Sequence, residues 1–399
     1  MAIIFRNGRI VTGTGETIQR GRVVIKGPMI DFAGSEKRTR ISKKDQVFDL
    51  SGKTVLPGLI DCHVHLCMDA SPNGMSSLKD EPVALTALKA AFHARLTLEA
   101  GITTVRDMGG RDYVDIAIRD GIRSGWIQGP RILCSGKMIC MTGGYGWQYG
   151  QEADGPEGIR RAVRKQVKAG ADVIKLMATG GILTKGADPG AAQLTLGELK
   201  AGVEEARKAG RRTATHVQGG EGARNSLRAG VDSIEHGIFL DEETIALMLK
   251  LKTSLVPTLS PPYHVLEGGA KARIPPSVIE RAKTAMRNHL SSIAKAYRSR
   301  VPIAMGTDAG TPLNPHGNNL KELELLLKVG MSPMEALVSA TKTASEVLGL
   351  ENKVGTLERG KLADLVVVDG DPLGDIRLLQ DKEKILAIMK EGRFYKSCL

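Results

Sequence analysis

The sequence predicts an α/β fold, a (β/α)8 TIM barrel with a small β-sandwich domain formed by both termini. Two observations predict it. Amphipathic helical stretches alternate with short apolar strands through the middle of the chain, whereas both ends contain only short strands divided by glycine turns. The alternation is clearest where a helical stretch ends in Ala-Gly and an apolar strand follows at once, within residues 99–107, 168–175, 208–216 and 228–236. Glycine just past a helix can close its last turn in the left-handed conformation, so each point indicates a tight loop.

Eight strands are predicted in the middle of the chain, near residues 55–63, 102–107, 130–135, 172–178, 213–217, 231–236, 253–259 and 302–307. Helical stretches separate them, among others over residues 84–99, 157–169, 196–209, 241–251, 276–298 and 319–329. Eight strands that alternate with helices favour a closed barrel. A doubly wound open sheet is the alternative, but no GxGxxG motif follows the first strand.

The two ends of the chain share a different pattern. AIIFRNGRIV, RVVIKGPMIDFAG and QVFDLSGKTV near the amino end, and GTLERGKLADLVVVDGD and ILAIMKEGRFYKS near the carboxyl end, are β-rich and lack a long helix. Two such flanks most simply pair with each other. We therefore expect residues 1–56 and 353–399 to form the small β-sandwich domain, with residues 57–352 as the barrel.

Composition narrows the classes of partner. The chain has 399 residues and a formal charge of +12, but its basic residues are spread along helical stretches and only 4% of residues are aromatic, which argues against a nucleic-acid partner. No apolar run approaches the ~20 residues of a membrane helix. Five cysteines without a CxxC pair indicate reduced thiols, and no targeting segment is visible, so a cytoplasmic location is expected.

Polar residues at the strand ends predict a metal centre, because active sites of such barrels lie at the carboxyl ends of the strands. The first strand ends in LIDCHVHL, whose two histidines are spaced by two and so share one face. A buried ammonium in the apolar DVIKLMA strand would be costly unless paired or chemically altered. Each group alone could be structural, but together they indicate a metal site formed by His63, His65, Lys175, His216, His236 and Asp308.

The segments that carry these residues resemble the metal-dependent amidohydrolase superfamily. The matching segments are LPGLIDCHVHL (56–66), AGITTVRDMGG (100–110), ADVIKLMATGG (171–181), THVQG (215–219), SIEHG (233–237), MGTDAG (305–310) and GTLERGKLADLVVVDGDPL (355–373). The resemblance spans nearly the whole chain. Within the superfamily, the chain is most similar to the imidazolonepropionase-related branch, which contains Xaa-Pro dipeptidases and ochratoxin-hydrolysing amidases.

The resemblance implies two divalent metal ions, with Zn²⁺ expected, bridged by a carboxylated Lys175. His63, His65 and Asp308 would bind one ion together with the carbamate, and His216 and His236 would bind the other. A metal-bridging hydroxide would attack the amide carbonyl. Asp308 would be the catalytic residue that takes the proton of this water and delivers it to the leaving amine. Homo-oligomers are common in the family, so the resemblance also implies a homo-oligomer.

The expected substrate is a small-molecule amide, either a dipeptide or an N-acyl amino acid, as for an Xaa-Pro dipeptidase, a carboxypeptidase-like enzyme or an ochratoxin-type amidase. Tyr145 could donate a hydrogen bond to the carbonyl oxygen, Arg224 could pair with a substrate carboxylate, and His316 could line the pocket mouth. Each could equally be a packing or solvent-facing residue. The alternatives are a cyclic amide hydrolase or deaminase, a lactonase or phosphotriesterase, and a non-catalytic scaffold. Lys175 argues against a deaminase, and the complete ligand set argues against a scaffold.

Overall fold

A computed structural model describes residues 1–35, 42–74, 78–181 and 190–399. The strands in these ranges are β1 (Ile3–Val11), β2 (Thr17–Lys26), β3 (Met29–Ser35), β4 (Gln46–Asp49), β5 (Lys53–Pro57), β6 (Leu59–Val64), β7 (Ile102–Asp107), β8 (Arg131–Cys134), β9 (Ile139–Cys140), β10 (Gln151–Glu152), β11 (Val173–Met177), β12 (Arg212–Val217), β13 (Ser233–His236), β14 (Ser254–Val256), β15 (Leu365–Asp369), β16 (Ile385–Lys390) and β17 (Arg393–Ser397).

The α-helices in the same ranges are α1 (Val83–Glu99), α2 (Val114–Arg123), α3 (Gly155–Ala169), α4 (Leu196–Lys208), α5 (Gly220–Ala229), α6 (Glu242–Leu251), α7 (Ser260–Gly268), α8 (Pro276–Arg298), α9 (Lys321–Lys328), α10 (Pro333–Ser339) and α11 (Lys342–Leu348). A 3-10 helix covers Ile376–Gln380. None of these helices is long and apolar enough to cross a membrane.

The loops that connect helices to strands have the conformation expected from the Ala-Gly pairs in the sequence. The glycines of all four Ala-Gly pairs have a positive φ, between 66° and 102°, at Gly101, Gly170, Gly210 and Gly230. The next strand starts within three residues of each glycine, at Ile102, Val173, Arg212 and Ser233. The predicted alternation of helices and strands in an α/β fold is therefore confirmed.

Both termini contribute to one eight-stranded sheet in the order β17-β16-β15-β5-β1-β2-β3, with β4 also paired to β1. The two ends meet where β15 runs antiparallel to β5 and places Val367 opposite Val55. An apolar cluster of its own supports this sheet, and Phe5 packs there against Phe48 and Phe394 with ring centroids 5.5 and 6.2 Å away. The pairing of the two flanks thus follows the sequence pattern, while their arrangement as a sandwich stays a prediction.

The middle of the chain forms two parallel sheets, β6-β7-β8 and β10-β9-β11-β12-β13-β14. The predicted eighth strand, residues 302–307, is irregular: within the described ranges, Ile303 makes an isolated bridge to Leu255, and Ala309, two residues beyond the predicted strand, makes one to Val64. Pro302 has no N–H to donate, and Asp308 has a positive φ of 56°, so neither end can continue a regular ladder. The main apolar core of the chain lies between these parallel strands and the surrounding helices.

Candidate metal centre

His63 and His65, at the end of β6, converge on Asp308. Each imidazole donates its Nδ1 hydrogen, His63 to Glu235 Oε2 and His65 to the carbonyl of Gly109, both at 2.7 Å. Nε2 of His65 lies 3.2 Å and Nε2 of His63 3.5 Å from Asp308 Oδ1. The candidate ligand atoms of these three residues all lie within 4.8 Å of one another, an arrangement that could hold a metal ion.

Backbone hydrogen bonds fix the position of Asp308. Its amide donates to the carbonyl of His63 at 2.7 Å, and its own carbonyl accepts from Thr311 Oγ1 and Asn314 Nδ2. Burial alone would raise the pKa of this carboxyl, but His63, His65 and Lys175 outweigh burial and lower the pKa to about 2. Asp308 is therefore an ionised carboxylate near neutral pH.

His216 and His236 stand at the ends of the neighbouring strands β12 and β13. Their ring centroids are 4.4 Å apart, and the ring of His236 is 5.0 Å from that of His63. Nε2 of His216 donates to the carbonyl of Gly180 at 3.2 Å, and Nδ1 of His236 lies 2.7 Å from Thr258 Oγ1. Each ring thus keeps its other nitrogen for a ligand. Burial, with Lys175 nearby, lowers the pKa of His216 to about 3, so this imidazole is neutral, the form that binds metals.

Lys175 lies on β11 in the same cavity as these four histidines and Asp308. Its side chain is 1% exposed, and Nζ has no hydrogen-bond partner within the ranges that the structure describes. Burial lowers the pKa of this amine to about 8. A fully buried amine without a partner is costly, and carboxylation would turn it into an anion with two metal-binding oxygens. The residues present therefore fit a bridging carbamate and the metal ions it would bind.

The sequence interpretation missed a buried ion pair behind His63. Glu235 accepts from His63 Nδ1 and, through its other oxygen, from Arg106 Nη2 at 2.7 Å. Arg106 also donates to the carbonyl of Cys62 and to Ser233 Oγ. The available signal was a charged residue inside each of two apolar strands, ITTVRD and SIEH, the same signal that identified Lys175.

An apolar cavity of about 80 Å³ opens next to the histidines. His216, His236, Asp308 and Tyr145 line one part of it. The remaining lining is largely aliphatic, from Ile238, Pro261, Pro262, Val265, Val278, Ala282 and Pro312. A small apolar substituent placed there would lie beside the candidate metal ligands.

The structure separates the three predicted substrate-binding residues. Tyr145 lines the cavity, and its buried ring lies 4.8 Å from His216. Arg224, on α5, pairs with Asp241 at 2.7 Å. His316 is buried behind His65, where Nε2 donates to the carbonyls of His65 and Met68 at 3.2 and 3.0 Å. Among the described residues, Tyr145 is thus brought to the candidate metal ligands and into the cavity, whereas the side chains of Arg224 and His316 are engaged elsewhere.

Comparisons with known proteins agree with this geometry. The amidohydrolase family model matches residues 54–395. An ochratoxinase of Aspergillus niger is 31% identical over 425 residues, which cover 98% of this chain and 85% of that protein. The crystal structure of an Xaa-Pro dipeptidase with bound methionine has a TM-score of 0.91 at 34% identity, over the whole of both chains. An imidazolonepropionase of Alkaliphilus metalliredigens is 24% identical over 418 residues, 94% of this chain and 90% of that protein.

These relatives confirm the resemblance seen in the sequence, including its branch. The match spans more than half of the chain and includes the strand ends that carry the four histidines, Lys175 and Asp308. The chain therefore belongs to the amidohydrolase family and is a hydrolase that acts on amide bonds.

Proposed function

We propose that this chain is a binuclear metal-dependent hydrolase that cleaves the amide bond of a small dipeptide or N-acyl amino acid. The observation that carries the proposal is the buried amine of Lys175, which has no hydrogen-bond partner in the described part of the chain and shares one cavity with four histidines and Asp308. The names of two relatives, Xaa-Pro dipeptidase and ochratoxinase, support the substrate class. The same amine counts against the deaminase alternative, because such enzymes usually hold one metal and lack the lysine.

Six side chains would hold the metal ions. His63, His65 and Asp308 would bind one ion, His216 and His236 the other, and a carboxylated Lys175 would bind both. Imidazole and carboxylate donors suit Zn²⁺. Two cations bound there would supply Lewis acidity, which polarises the amide carbonyl and lowers the pKa of a water molecule toward neutrality.

Asp308 is proposed as the proton carrier. Hydrogen bonds at its backbone amide and its carbonyl fix its position, and its carboxylate is ionised. The carboxylate can therefore accept the proton of the attacking water on a free oxygen lone pair. An amine leaves poorly until it is protonated, and Asp308 would return that proton to the amide nitrogen. The balance is that of simple hydrolysis, in which water and the amide give an acid and an amine.

Two further residues would assist without bonding to the metal ions. Glu235 accepts the Nδ1 hydrogen of His63 and so fixes the tautomer that presents Nε2 to the cavity. Tyr145 would donate its hydroxyl hydrogen to the carbonyl oxygen as negative charge develops there. Arg224 and His316 stay predictions from the sequence.

The apolar cavity supports the proposed substrate class. Its volume of about 80 Å³ and its proline, valine and isoleucine walls suit a compact apolar group, such as the ring of proline. A group seated there would place its amide bond beside Asp308 and Tyr145, which line the same cavity. We therefore propose substrates with an apolar substituent next to the scissile amide.

Hydrogen bonds between the two parallel sheets support a closed (β/α)8 barrel. The amide of Ala304 donates to Leu255 and the amide of Cys62 donates to Met305, both at 2.9 Å, while Asp172 donates to Cys134 at 2.7 Å. We propose that residues 57–352 form this barrel and that residues 1–56 with 353–399 form the separate small domain. The homo-oligomer and the cytoplasmic location stay predictions from the sequence.

Metal content per chain tests the proposal. Protein purified without chelator and with bicarbonate should contain two divalent ions per chain and hydrolyse Xaa-Pro or N-acyl amino acids. Lys175→Ala should lose most metal and activity, and a short carboxylic acid should restore part of both. Lys165→Ala, which removes an exposed lysine of α3, is the matched control and should change neither. One ion in the unaltered protein, or unchanged metal in Lys175→Ala, would contradict the binuclear site.

A further inference from the structure

A second, larger cavity lies away from the candidate metal centre and its apolar cavity. This basic cleft has a volume of about 960 Å³ and is bounded by the amino ends of the parallel strands, by the end of α2, and by the turns β2–β3 and β16–β17 of the terminal sheet. Arg131 is the first residue of β8, and Arg211 immediately precedes β12. His216 is five residues beyond Arg211, so the two sites are about 16 Å apart along that strand. The cleft is therefore not part of the substrate cavity.

Cationic side chains dominate the lining, with seven lysine and arginine residues against two carboxylates. Arg131 is neutralised by Asp364 and Glu391 at 2.6 and 2.7 Å, and Arg119 by Asp172 at 2.7 Å. Both carboxylates of the lining are thus paired with cations of the lining, and the seven cations outnumber Asp172, Glu391 and the neighbouring Asp364 together. The remaining positive charges face the cleft in excess, and like charges gathered in one concave site repel one another unless an anion binds there.

Arg211, Lys353 and Arg393 are three of the four lining cations that have no ion pair with an acid among the described residues, and Lys390 is the fourth. The structure gives none of the three an ion pair within the described ranges, and Arg211 Nε is a buried donor that has no hydrogen-bond partner there. Lys353 and Arg393 are exposed at the rim. Lys390 is 5% exposed, and its Nζ donates to a backbone carbonyl, that of Gly129, rather than to an acid. A buried donor without an acceptor is the feature that a bound ligand would satisfy.

The cleft also offers apolar surface. Ile122, Leu350 and Leu362 line it together with Tyr395, whose ring lies 5.2 Å from Lys390 Nζ. The volume is at the upper end of the range found for small-molecule sites. Arginine binds phosphate oxygens through paired N–H groups, and lysine binds them as a point charge. We propose that this cleft is a binding site for a phosphate-bearing polyanion of nucleotide size.

Titration calorimetry of the metal-loaded protein at low salt tests the site, with inorganic tripolyphosphate and ATP as separate probes. Saturable binding of one anion per chain is expected, and 0.5 M NaCl should abolish it because the contacts are ionic. Equal affinity for the two probes would show that phosphate groups alone are recognised. At least tenfold tighter binding of ATP would show that the apolar walls bind the nucleoside as well. Both results support the site. If neither tripolyphosphate nor ATP binds saturably, the proposal is wrong.

The double variant Lys353→Ala/Arg393→Ala separates the cleft from binding of the probe to the metal ions. Both side chains are exposed, so the melting temperature should stay unchanged while the affinity falls at least tenfold. Arg228→Ala/Lys283→Ala removes the same two kinds of charge from exposed positions on α5 and α8 and should change the affinity less than twofold. Binding that survives in the first double variant would place the anion elsewhere and refute the proposal.

Discussion

Removal of the Glu235 side chain should destabilise the fold and weaken metal binding at the same time. Glu235 is fully buried and accepts hydrogen bonds from three side chains, those of His63, Arg106 and Ser233, at 2.7, 2.7 and 2.6 Å. Burial would raise the pKa of Glu235, but Arg106 and His63 outweigh burial and hold the pKa well below its usual range. In Glu235→Ala, Arg106 would remain charged in the interior without an acidic partner.

The expected loss of unfolding free energy is about 3–5 kcal/mol, which is the usual cost of removing one partner of a buried ion pair and leaving the other charge unpaired. Urea unfolding in the presence of a chelator measures this cost apart from metal binding. The matched control is Glu243→Ala. The Glu243 side chain is 64% exposed, and its Oε1 lies 3.5 Å from Arg228 Nη2. This substitution should lower the unfolding free energy by less than about 1 kcal/mol. Arg106→Met combined with Glu235→Leu should cost less than Glu235→Ala alone, because no unpaired charge remains. A loss below about 1 kcal/mol in Glu235→Ala would refute the reasoning.

Metal affinity should fall with the same substitution. Without Glu235, the tautomer and orientation of His63 are no longer fixed, and such outer partners typically contribute about 10–100-fold to metal affinity. Competition with a coloured chelator measures this effect. Unchanged affinity in Glu235→Ala would mean that His63 is oriented by the backbone alone.

Three further predictions concern the cavity and its surroundings. Asp308→Asn should keep the fold and lower kcat by about 10²–10⁴-fold, because the proton carrier is lost, and near-normal turnover would remove that role. Tyr145→Phe should lower kcat/KM about tenfold or more in steady-state assays with unchanged metal content, whereas unchanged kinetics would leave Tyr145 a packing residue. Burial would raise the pKa of Asp69, but the hydrogen bonds that this carboxylate accepts from Lys89 and Ser71 outweigh burial and lower the pKa to about 2. The stability that ionised Asp69 contributes is therefore present above pH 4 and lost as the pH falls through about 2. Asp69→Asn should therefore flatten the acid side of the stability curve, and a thermal unfolding series from pH 5 to 2 that matches the unaltered protein would contradict this.

Local patterns in the sequence predicted the elements and the strand-end histidines well, because those patterns are set by neighbours along the chain. The spacing of His63 and His65 follows from strand geometry alone, and the Ala-Gly pairs mark helix ends by a backbone preference. The irregular course of residues 302–309 was missed because two of its features exist only in the folded chain: the positive φ of Asp308 and the hydrogen bonds that Asp61, 246 residues away, accepts from the amide and hydroxyl of Thr307. No periodicity records such a contact.

Side-chain roles that depend on long-range partners were the least predictable. Arg224 looks like a free arginine in the sequence, but in the structure it meets Asp241, 17 residues away, in an ion pair. Arg106 and Glu235 are 129 positions apart, and only the folded chain shows that they neutralise each other. The concentration of positive charge at the basic cleft was likewise hidden, because its lysines and arginines come from separate segments between Arg119 and Arg393.

The pairing of β5 with β15 has a consequence for the order in which the chain can fold during synthesis. Thr54 Oγ1 donates to the carbonyl of Gly370, which is translated 316 residues later. At typical elongation rates of about 5–20 residues per second, roughly 15–60 s pass between the synthesis of β5 and that of β15, and the edge of β5 that pairs with β15 is unpaired during this time. An unpaired strand edge can recruit other chains. The intervening parallel sheets are complete in sequence before β15 is made and can form first, whereas β5 cannot pair with β15 until the end of synthesis.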